Sequence, residues 1–459
     1  MSGKRTPRRS ITDAVRSCFA PGAGVWRRVR RWWHSVDPYV VRGVPQAYRK
    51  GMVLFWWYGV FISMASAFVD PYVTLYALAM GATRLQVGSL ASAASFFGML
   101  MPIPGARWAA RLGRRKPVVL ISFGLRFVAL LVALLAPLLT TGQVLVLLIM
   151  AAFAARAAFL HLGTSPWTSM AGDLVPQERR GRYFAARKTV MALASLICVP
   201  LAGQLIGLFP DPVGYQVAFA LAVLWGAVAL YLFGRVPERG VSGPQRRAQR
   251  TDQEASLWRV LRGNDLFWRF VLISMGFNFF WQLGGPYFGV YQVEVLGATA
   301  SVVGWLSMVS AAMRMIGQQV WGRAVDRRGA RWALTLCHLL IPFLPFIWLP
   351  LRAPWQLVFV VVPSGFLWAG REIANFNLLL ELVGEERQTD MIAGYNTLIA
   401  VANILGPLVG GQVIRLWGYR ADFVLSGIGR MVAALLFLGL LRPFRGRVWT
   451  LLAPDRRGS

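Results

Sequence analysis

The chain has 459 residues, 56% of them hydrophobic, a mean hydropathy of +0.51 and a formal charge of +30. That apolar content excludes a soluble domain, and the way the positive charge is distributed excludes a nucleic-acid partner. Three cysteines (Cys18, Cys198, Cys337) and three histidines (His34, His161, His338) have no metal or redox spacing. No phosphate-cradling Gly-x4-Gly-Lys-Ser/Thr loop is present. No metal, no cofactor and no enzyme chemistry are therefore expected.

Residues 1–50 form a basic arm with a Trp/Arg run at 25–33. It reads equally as a helix lying among lipid headgroups or as a solvated arm. It has no apolar stretch of the kind that precedes signal cleavage. About 20 apolar residues cross a hydrocarbon core of about 30 Å as a helix. Spans are expected at 51–80, 85–109, 117–139, 143–171, 184–208, 213–235, 266–295, 300–322, 332–351, 355–381, 391–416 and 421–441, twelve in all. They fall into two six-helix units, 51–235 and 266–441, joined by a polar linker at 236–265 and followed by a basic tail at 442–459. With both ends of the chain on one side, 40 of the 49 Lys and Arg lie on that side. Only Arg84, Arg352, Arg415 and Arg420 lie on the other. This asymmetry places both termini in the cytoplasm and attracts anionic lipid headgroups.

Along the spans, the first carries Asp70-Pro71, with the proline expected to bend it near its outer end. The third carries Arg126, and the fourth Arg156, His161 and Trp167. Asn278 and Gln282 share one face of the seventh, which ends near Glu294. The eighth holds Arg314, the tenth Arg371-Glu372 and Asn375, and the twelfth Arg430. Arg126 and Arg430 read as snorkelling or structural. Adjacent opposite charges in a span are costly unless they face water or partners. Arg371-Glu372 is therefore read either as an inner gate or as a substrate contact. Five span arginines stand against Asp70, Glu294 and Glu372. That excess points to an anionic substrate or to internal pairing.

The second unit repeats the first in order. Pro71-Tyr72 returns as Pro286-Tyr287, Gly81-Ala82-Thr83 as Gly297-Ala298-Thr299, and Val87-Gly88 as Val303-Gly304. Asp173-Leu174-Val175 returns as Glu381-Leu382-Val383, and Gly203-Gln204 as Gly411-Gln412. Chance matches would not stay collinear. This is a parallel duplication of a six-span unit.

Between the eighth and ninth spans lies Gly322-Arg323-Ala324-Val325-Asp326-Arg327-Arg328-Gly329, whose glycines suit a tight turn. A weaker copy between the second and third spans retains Arg111, Gly113 and Arg114, with Ala106 and Ala110 replacing glycine and acid. This octapeptide resembles the signature loop of the major facilitator superfamily of bacterial type. Gly406-Pro407-Leu408-Val409-Gly410-Gly411 resembles the glycine-proline motif of that family's antiporters, although it lies in the eleventh span rather than the fifth. The resemblance implies an all-α membrane protein of twelve helices in two pseudo-symmetric bundles around a central cavity. Asp70, Tyr72, Tyr76, Arg156, His161, Asn278, Gln282, Tyr287, Arg314, Arg371, Glu372 and Asn375 are then candidate substrate or proton contacts.

The expected function is a secondary transporter in the bacterial inner membrane that moves a small molecule by alternating access. Proton coupling is expected to run through Asp70 and Glu372, with a lean towards efflux and a monomeric state. The alternatives are an importer of a small organic anion and a transport-dead sensor or scaffold.

Overall fold

The computed structural model describes residues 46–176, 179–238, 265–383 and 388–440. The Trp/Arg run, most of the linker, the tail, Glu178, Glu386 and Arg387 lie outside the described residues. Every regular element described is helical. The first unit contains α1 (Gln46–Ala67), α2 (Val73–Ala79), α3 (Arg84–Leu100), α4 (Pro102–Leu112), α5 (Lys116–Leu139), α6 (Gly142–Leu174), α7 (Arg180–Gly207) and α8 (Val213–Gly234). The second contains α9 (Asp265–Glu294), α10 (Ala300–Arg328), α11 (Ala330–Leu340), α12 (Leu344–Trp348), α13 (Val358–Val383) and α14 (Gln388–Leu440).

Proline and glycine set the breaks. The first span bends where a 3-10 turn, Asp70–Tyr72, separates α1 from α2 at Pro71. The second, expected as one piece, is broken at Met101–Pro102 into α3 and α4. Within α14, Gly418 (φ 79°, ψ 174°) interrupts the helix between the expected eleventh and twelfth spans. Among the described residues, ten helices are long and apolar enough to cross a membrane by length and composition, and one of these contains the Gly418 break. The 30-residue α9 carries Arg269, Asn278 and Gln282 and is not among the ten.

The duplication seen in the sequence recurs in the backbone. Gly81 and Gly297 turn the chain at φ 89° and 68°, and Gly113 and Gly329 at φ 64° and 84°. Thr83 and Thr299 then cap α3 and α10 by accepting from the N–H groups of Gln86 and Val302. Within the first unit α5 packs on α6 and α8, and α1 on α7 and α8; within the second, α9 packs on α14 and α10 on α13. The units meet mainly through two helix pairs, α3 with α14 and α7 with α10, and α9 also touches α2 and α3.

The buried side chains form one apolar cluster that runs through both units near the Gly81/Gly297 turns, including Tyr72, Ala202, Tyr287 and Val303. Towards the Gly113/Gly329 turns the core divides. One cluster, around Phe55, Phe123 and Phe233, belongs to the first unit. Another, around Phe270, Leu334 and Phe437, belongs to the second. The two units are joined at one end and parted at the other.

Candidate functional site

At the joined end the contacts form two antiparallel zippers. In the first, α3 descends along α14. Gly88 faces the Pro407 carbonyl at such close range that a Cβ on Gly88 would come within 2.9 Å of it. The Ser92 hydroxyl donates to the Ile404 carbonyl at 2.8 Å. In the second, α7 lies along α10. A Cβ on Gly203 would come within 2.5 Å of the Ala300 carbonyl, and the Ser301 hydroxyl donates to the Gly203 carbonyl at 3.2 Å. Hydrocarbon offers no hydrophobic drive between helices, so close approach of small residues supplies the attraction instead.

Each crossing is filled by one tyrosine hydroxyl. Tyr72 donates to the Val199 carbonyl at 2.6 Å, and Cβ atoms on Gly203 and Gly304 would both lie 2.7 Å from its oxygen. Tyr287 donates to the Pro407 carbonyl at 2.5 Å beside Gly88 and Gly411. A latch lies over the first zipper: Glu294 pairs with Arg84 at 2.8 Å and accepts from the Tyr419 hydroxyl at 2.7 Å. The Arg84 guanidinium also lies 4.7 Å above the Tyr419 ring.

These contacts correct part of the expected cavity wall. Tyr72, Tyr76 and Tyr287 are fully buried rather than cavity-facing. Their hydroxyls are satisfied by backbone carbonyls, Tyr76 by that of Ala133 at 2.7 Å. Asn278 is buried too, donating to Ser274 of its own helix at 2.7 Å. Gln282 lies against α14, where a Cβ on Gly406 would be 2.7 Å from the Gln282 Cβ. Gly406 and Gly410 thus seat α14 on α9 of the same unit, while Gly411 also faces Leu85 of the other.

The span charges pair. Arg156 donates to Asp70 at 2.6 Å across 86 residues of sequence. Arg314 lies 3.6 Å from Glu372, with both side chains more than half exposed. Asn375 donates to the Tyr395 hydroxyl at 3.0 Å, between α13 and α14. Arg371 turns away from its neighbour Glu372: it is buried, with its guanidinium 4.7 Å from the Phe277 ring centre and 5.2 Å from that of Trp368. Arg126 and Arg430 are buried at 4% and 2% exposure, so neither snorkels to an interface. They donate to Ser66 and Ser426 at 3.2 and 2.6 Å.

Two features escape the sequence reading. Asp422 is fully buried two helical turns from Arg430, and its carboxylate oxygens have no hydrogen-bond partner among the described residues. It stands second in its span, beside Arg420, and so reads as a boundary residue. Arg187 is buried against Phe55, its guanidinium 4.2 Å from the ring, and donates to the Phe55 carbonyl at 3.1 Å. In the sequence it belongs with the basic loop that follows α6.

Towards the parted end two cavities with polar groups in their walls open, the first between the units and the second within the first unit. One of about 540 Å³ lies between α3, α6 and α14 and is lined by Ser95, Gly98, His161, Asn396, Thr397 and Asn403, among others. His161 thus faces α3 and α14. A second cavity, of about 530 Å³, is lined by Ser165, Thr168, Ser169, Gly172, Asp173 and Arg180. His161, Ser165 and Thr168 recur at i, i+4 and i+7, so one face of α6 runs from the first cavity towards the second.

The Major Facilitator Superfamily model matches residues 55–370 and 285–451. The chain belongs to the major facilitator superfamily. It is 23% identical over 374 residues to the "Putative sugar efflux transporter" of Deinococcus radiodurans, covering 79% of this chain and 91% of that protein. A mutant form of the nucleoside transporter NupG superposes with a TM-score of 0.66 at 13% identity, covering 84% of this chain and 99% of that one. A D-xylose-proton symporter superposes with a TM-score of 0.56 at 15% identity, covering 85% and 96%. The fold is that of a facilitator transporter, a multi-pass membrane protein.

The facilitator loops differ between the two units. After Gly113, Arg115 pairs with Asp173 at 2.8 Å and donates to Ser169 at 2.6 Å. Glu238 accepts from the backbone N–H groups of Arg115 and Lys116 at 2.6 and 3.1 Å, capping α5. Arg114 reaches the same carboxylate at 3.7 Å, while Arg111 lies in the exposed last turn of α4. After Gly329, Arg331 lies 3.8 Å from Glu381, the counterpart of Asp173. Only Gly329 makes the turn. Gly322 lies inside α10, where a Cβ would meet nothing within 4 Å, and Asp326 and Arg327 are near the helix end, with Arg327 in its last turn.

Proposed function

We propose that this facilitator protein is a secondary active transporter of a small polar solute, of sugar or nucleoside kind, that works by alternating access between two six-helix bundles, 51–235 and 266–441. The observation that carries this reading is the asymmetry of the cores: one shared core at the zippered end, two separate cores and polar cavities at the other. A rocking movement that opens the first end and closes the second would carry a solute across. The twelve-span reading counts α9 as a span and the two sides of Gly418 separately. The excess of Lys and Arg beside the Gly113/Gly329 turns supports a cytoplasmic location for that end and for both termini. The drawn state is then open to the cytoplasm, in a bacterial inner membrane, with the monomer as the working unit.

Proton linkage is carried by Glu372 and Asp70. Exposed charges within a span are tolerated where they face water rather than lipid, so the Arg314–Glu372 pair lines the aqueous path. A proton on either carboxylate would release its arginine and change the charge balance between the units. The glycine-proline motif and the Deinococcus relative's name support export. The pairing of Arg156 and Arg314 favours a neutral solute over an organic anion.

The test is flux in proteoliposomes bearing a pH gradient, an internal pH dye and labelled sugars and nucleosides. Solute-dependent proton movement is expected, lost in Glu372→Gln while solute exchange continues. Exchange without proton movement in the natural protein overturns the coupling. Silence in both, from folded protein, overturns transport.

A further inference from the structure

We infer that the cavity between α3, α6 and α14 is the solute-recognition subsite, and that it takes an uncharged polyhydroxylated solute, a monosaccharide or polyol. This rests on the transport reading above and narrows it to one of its substrate classes.

The position comes first. Going down α3, contact with α14 runs through Gly88 at the Pro407 carbonyl and Ser92 at the Ile404 carbonyl. One turn further the helices separate, and Ser95 and Gly98 face Asn403, Ala400 and Asn396 across the cavity. The subsite therefore begins where the zipper ends. Both units supply its walls, α3 and α6 from the first and α14 from the second. A solute held there is sensed by both bodies whose relative movement would carry it.

The chemistry of the wall comes second. Its polar groups are hydroxyls, amides and one imidazole, from Ser95, Thr397, Asn396, Asn403 and His161, and no Asp, Glu, Lys or Arg lines it among the described residues. An anion brought here would lose its hydration with no cation to replace it. Neutral hydroxyls, which both donate and accept, match such a wall. The Asn403 side-chain carbonyl oxygen is buried and has no hydrogen-bond donor among the described residues. A buried acceptor of that kind is costly until a donor reaches it, and rotation of the Asn403 amide would bring this oxygen to a solute hydroxyl in the cavity. Among the described residues no Phe, Tyr or Trp lines the cavity, so a nucleobase finds no ring to stack on.

The room available comes third. The cavity of about 540 Å³ falls within the range of small-molecule sites. Gly98 helps to create it: a Cβ there would lie 3.3 Å from Nε2 of His161, so even a methyl group at this position would press on the imidazole and narrow the cavity. Below, Ser165 and Thr168 continue the hydroxyl-bearing face of α6 into the second cavity. That face offers a departing solute a graded exchange of hydrogen bonds.

The test is counterflow in proteoliposomes with labelled glucose, xylose, sorbitol, uridine and succinate, on the natural protein and on Asn396→Leu and Asn403→Leu. Folding is checked by thermal unfolding in detergent. The expected result is exchange of at least one sugar or sorbitol, with its KM raised about tenfold or more in each variant and maximal exchange changed less than threefold. Partial recovery of KM in Asn396→Gln would further separate hydrogen bonding from wall shape. Exchange of uridine or succinate without any sugar or polyol overturns the solute class. Sugar exchange with KM unchanged in both leucine variants overturns the location. If folded protein exchanges none of the five solutes, the transport reading fails and takes this inference with it.

Discussion

At the Gly81/Gly297 end, close glycine contacts, two serine hydroxyls (Ser92 and Ser301) and one ion pair hold the units together around a common apolar core. At the Gly113/Gly329 end each unit keeps its own core, and the cavities there carry hydroxyls, amides and an imidazole in their walls. The contrast follows from what each surface must tolerate. A contact made by shape between small residues is strong only at full closure and loses about a quarter to a half of its attraction at a gap of about 0.5–1 Å. A surface of hydroxyls and amides accepts water when open and partners when shut. This state therefore has one end that is closed and one that is open.

The sharpest way to break the contrast is to fill a zipper. In Gly88→Leu the new Cβ would lie on the Tyr287 hydroxyl and within 2.9 Å of the Pro407 carbonyl. Backbone cannot yield cheaply, and overpacking of this kind costs about 3 kcal/mol, equivalent to about a 100-fold shift in population. The clash lies between the units rather than inside either, so folding should persist. Spin-label distances across the Arg84 end should lengthen and solute flux should fall about 100-fold. Flux within threefold of the natural protein would mean that this end need not close. Gly322→Leu makes the comparison, since open space surrounds Gly322 in the drawn state. It should leave those distances unchanged.

The next effect concerns the two copies of the loop. Arg115 is largely buried, pairs with Asp173 at 2.8 Å and also holds Ser169. Its counterpart Arg331 lies 3.8 Å from Glu381, with both side chains well exposed. Removing one partner of a buried, hydrogen-bonded charge costs about 1–3 kcal/mol, whereas an exposed pair is worth about 0–1 kcal/mol. Arg115→Ala should lower the unfolding temperature in detergent by several degrees and Arg331→Ala by about a degree or less. Equal losses would show that the two loops carry the same load despite their different burial.

The duplication makes the closed end legible. Tyr72, Gly203 and Gly304 form one crossing and Tyr287, Gly411 and Gly88 the other, and each of those residues stands in a repeated pair in the sequence. Their role does not follow from the repeat. A tyrosine reads alike whether its hydroxyl faces a solute or a backbone carbonyl, so the sequence sets Tyr72, Tyr76 and Tyr287 on a cavity wall that they do not reach. Ion pairs such as Arg156 with Asp70 join helices far apart in sequence, and only the packing brings them together. The amides of Asn396 and Asn403 are illegible for another reason. They carry no charge and have no duplicate, and a polar residue in an apolar helix is equally at home in a helix contact. Asp422 is hidden by its place at a span edge.

The smallest expected effect is at the latch, where it sharpens the comparison by separating shape from charge. The Arg84–Glu294 pair is short at 2.8 Å but partly exposed, 48% and 29% for the two side chains. Solvent screening limits such a pair to about 0.2–1 kcal/mol, much less than a filled glycine crossing costs. Arg84→Ala should therefore shift the balance of open and closed ends only about twofold to fivefold, read by the same spin labels. Salt should reproduce part of the shift in the natural protein and little of it in the variant, because ionic screening acts on the pair and leaves glycine contacts untouched. A shift as large as that of Gly88→Leu would make the ion pair, rather than the glycine zippers, the element that holds this end closed.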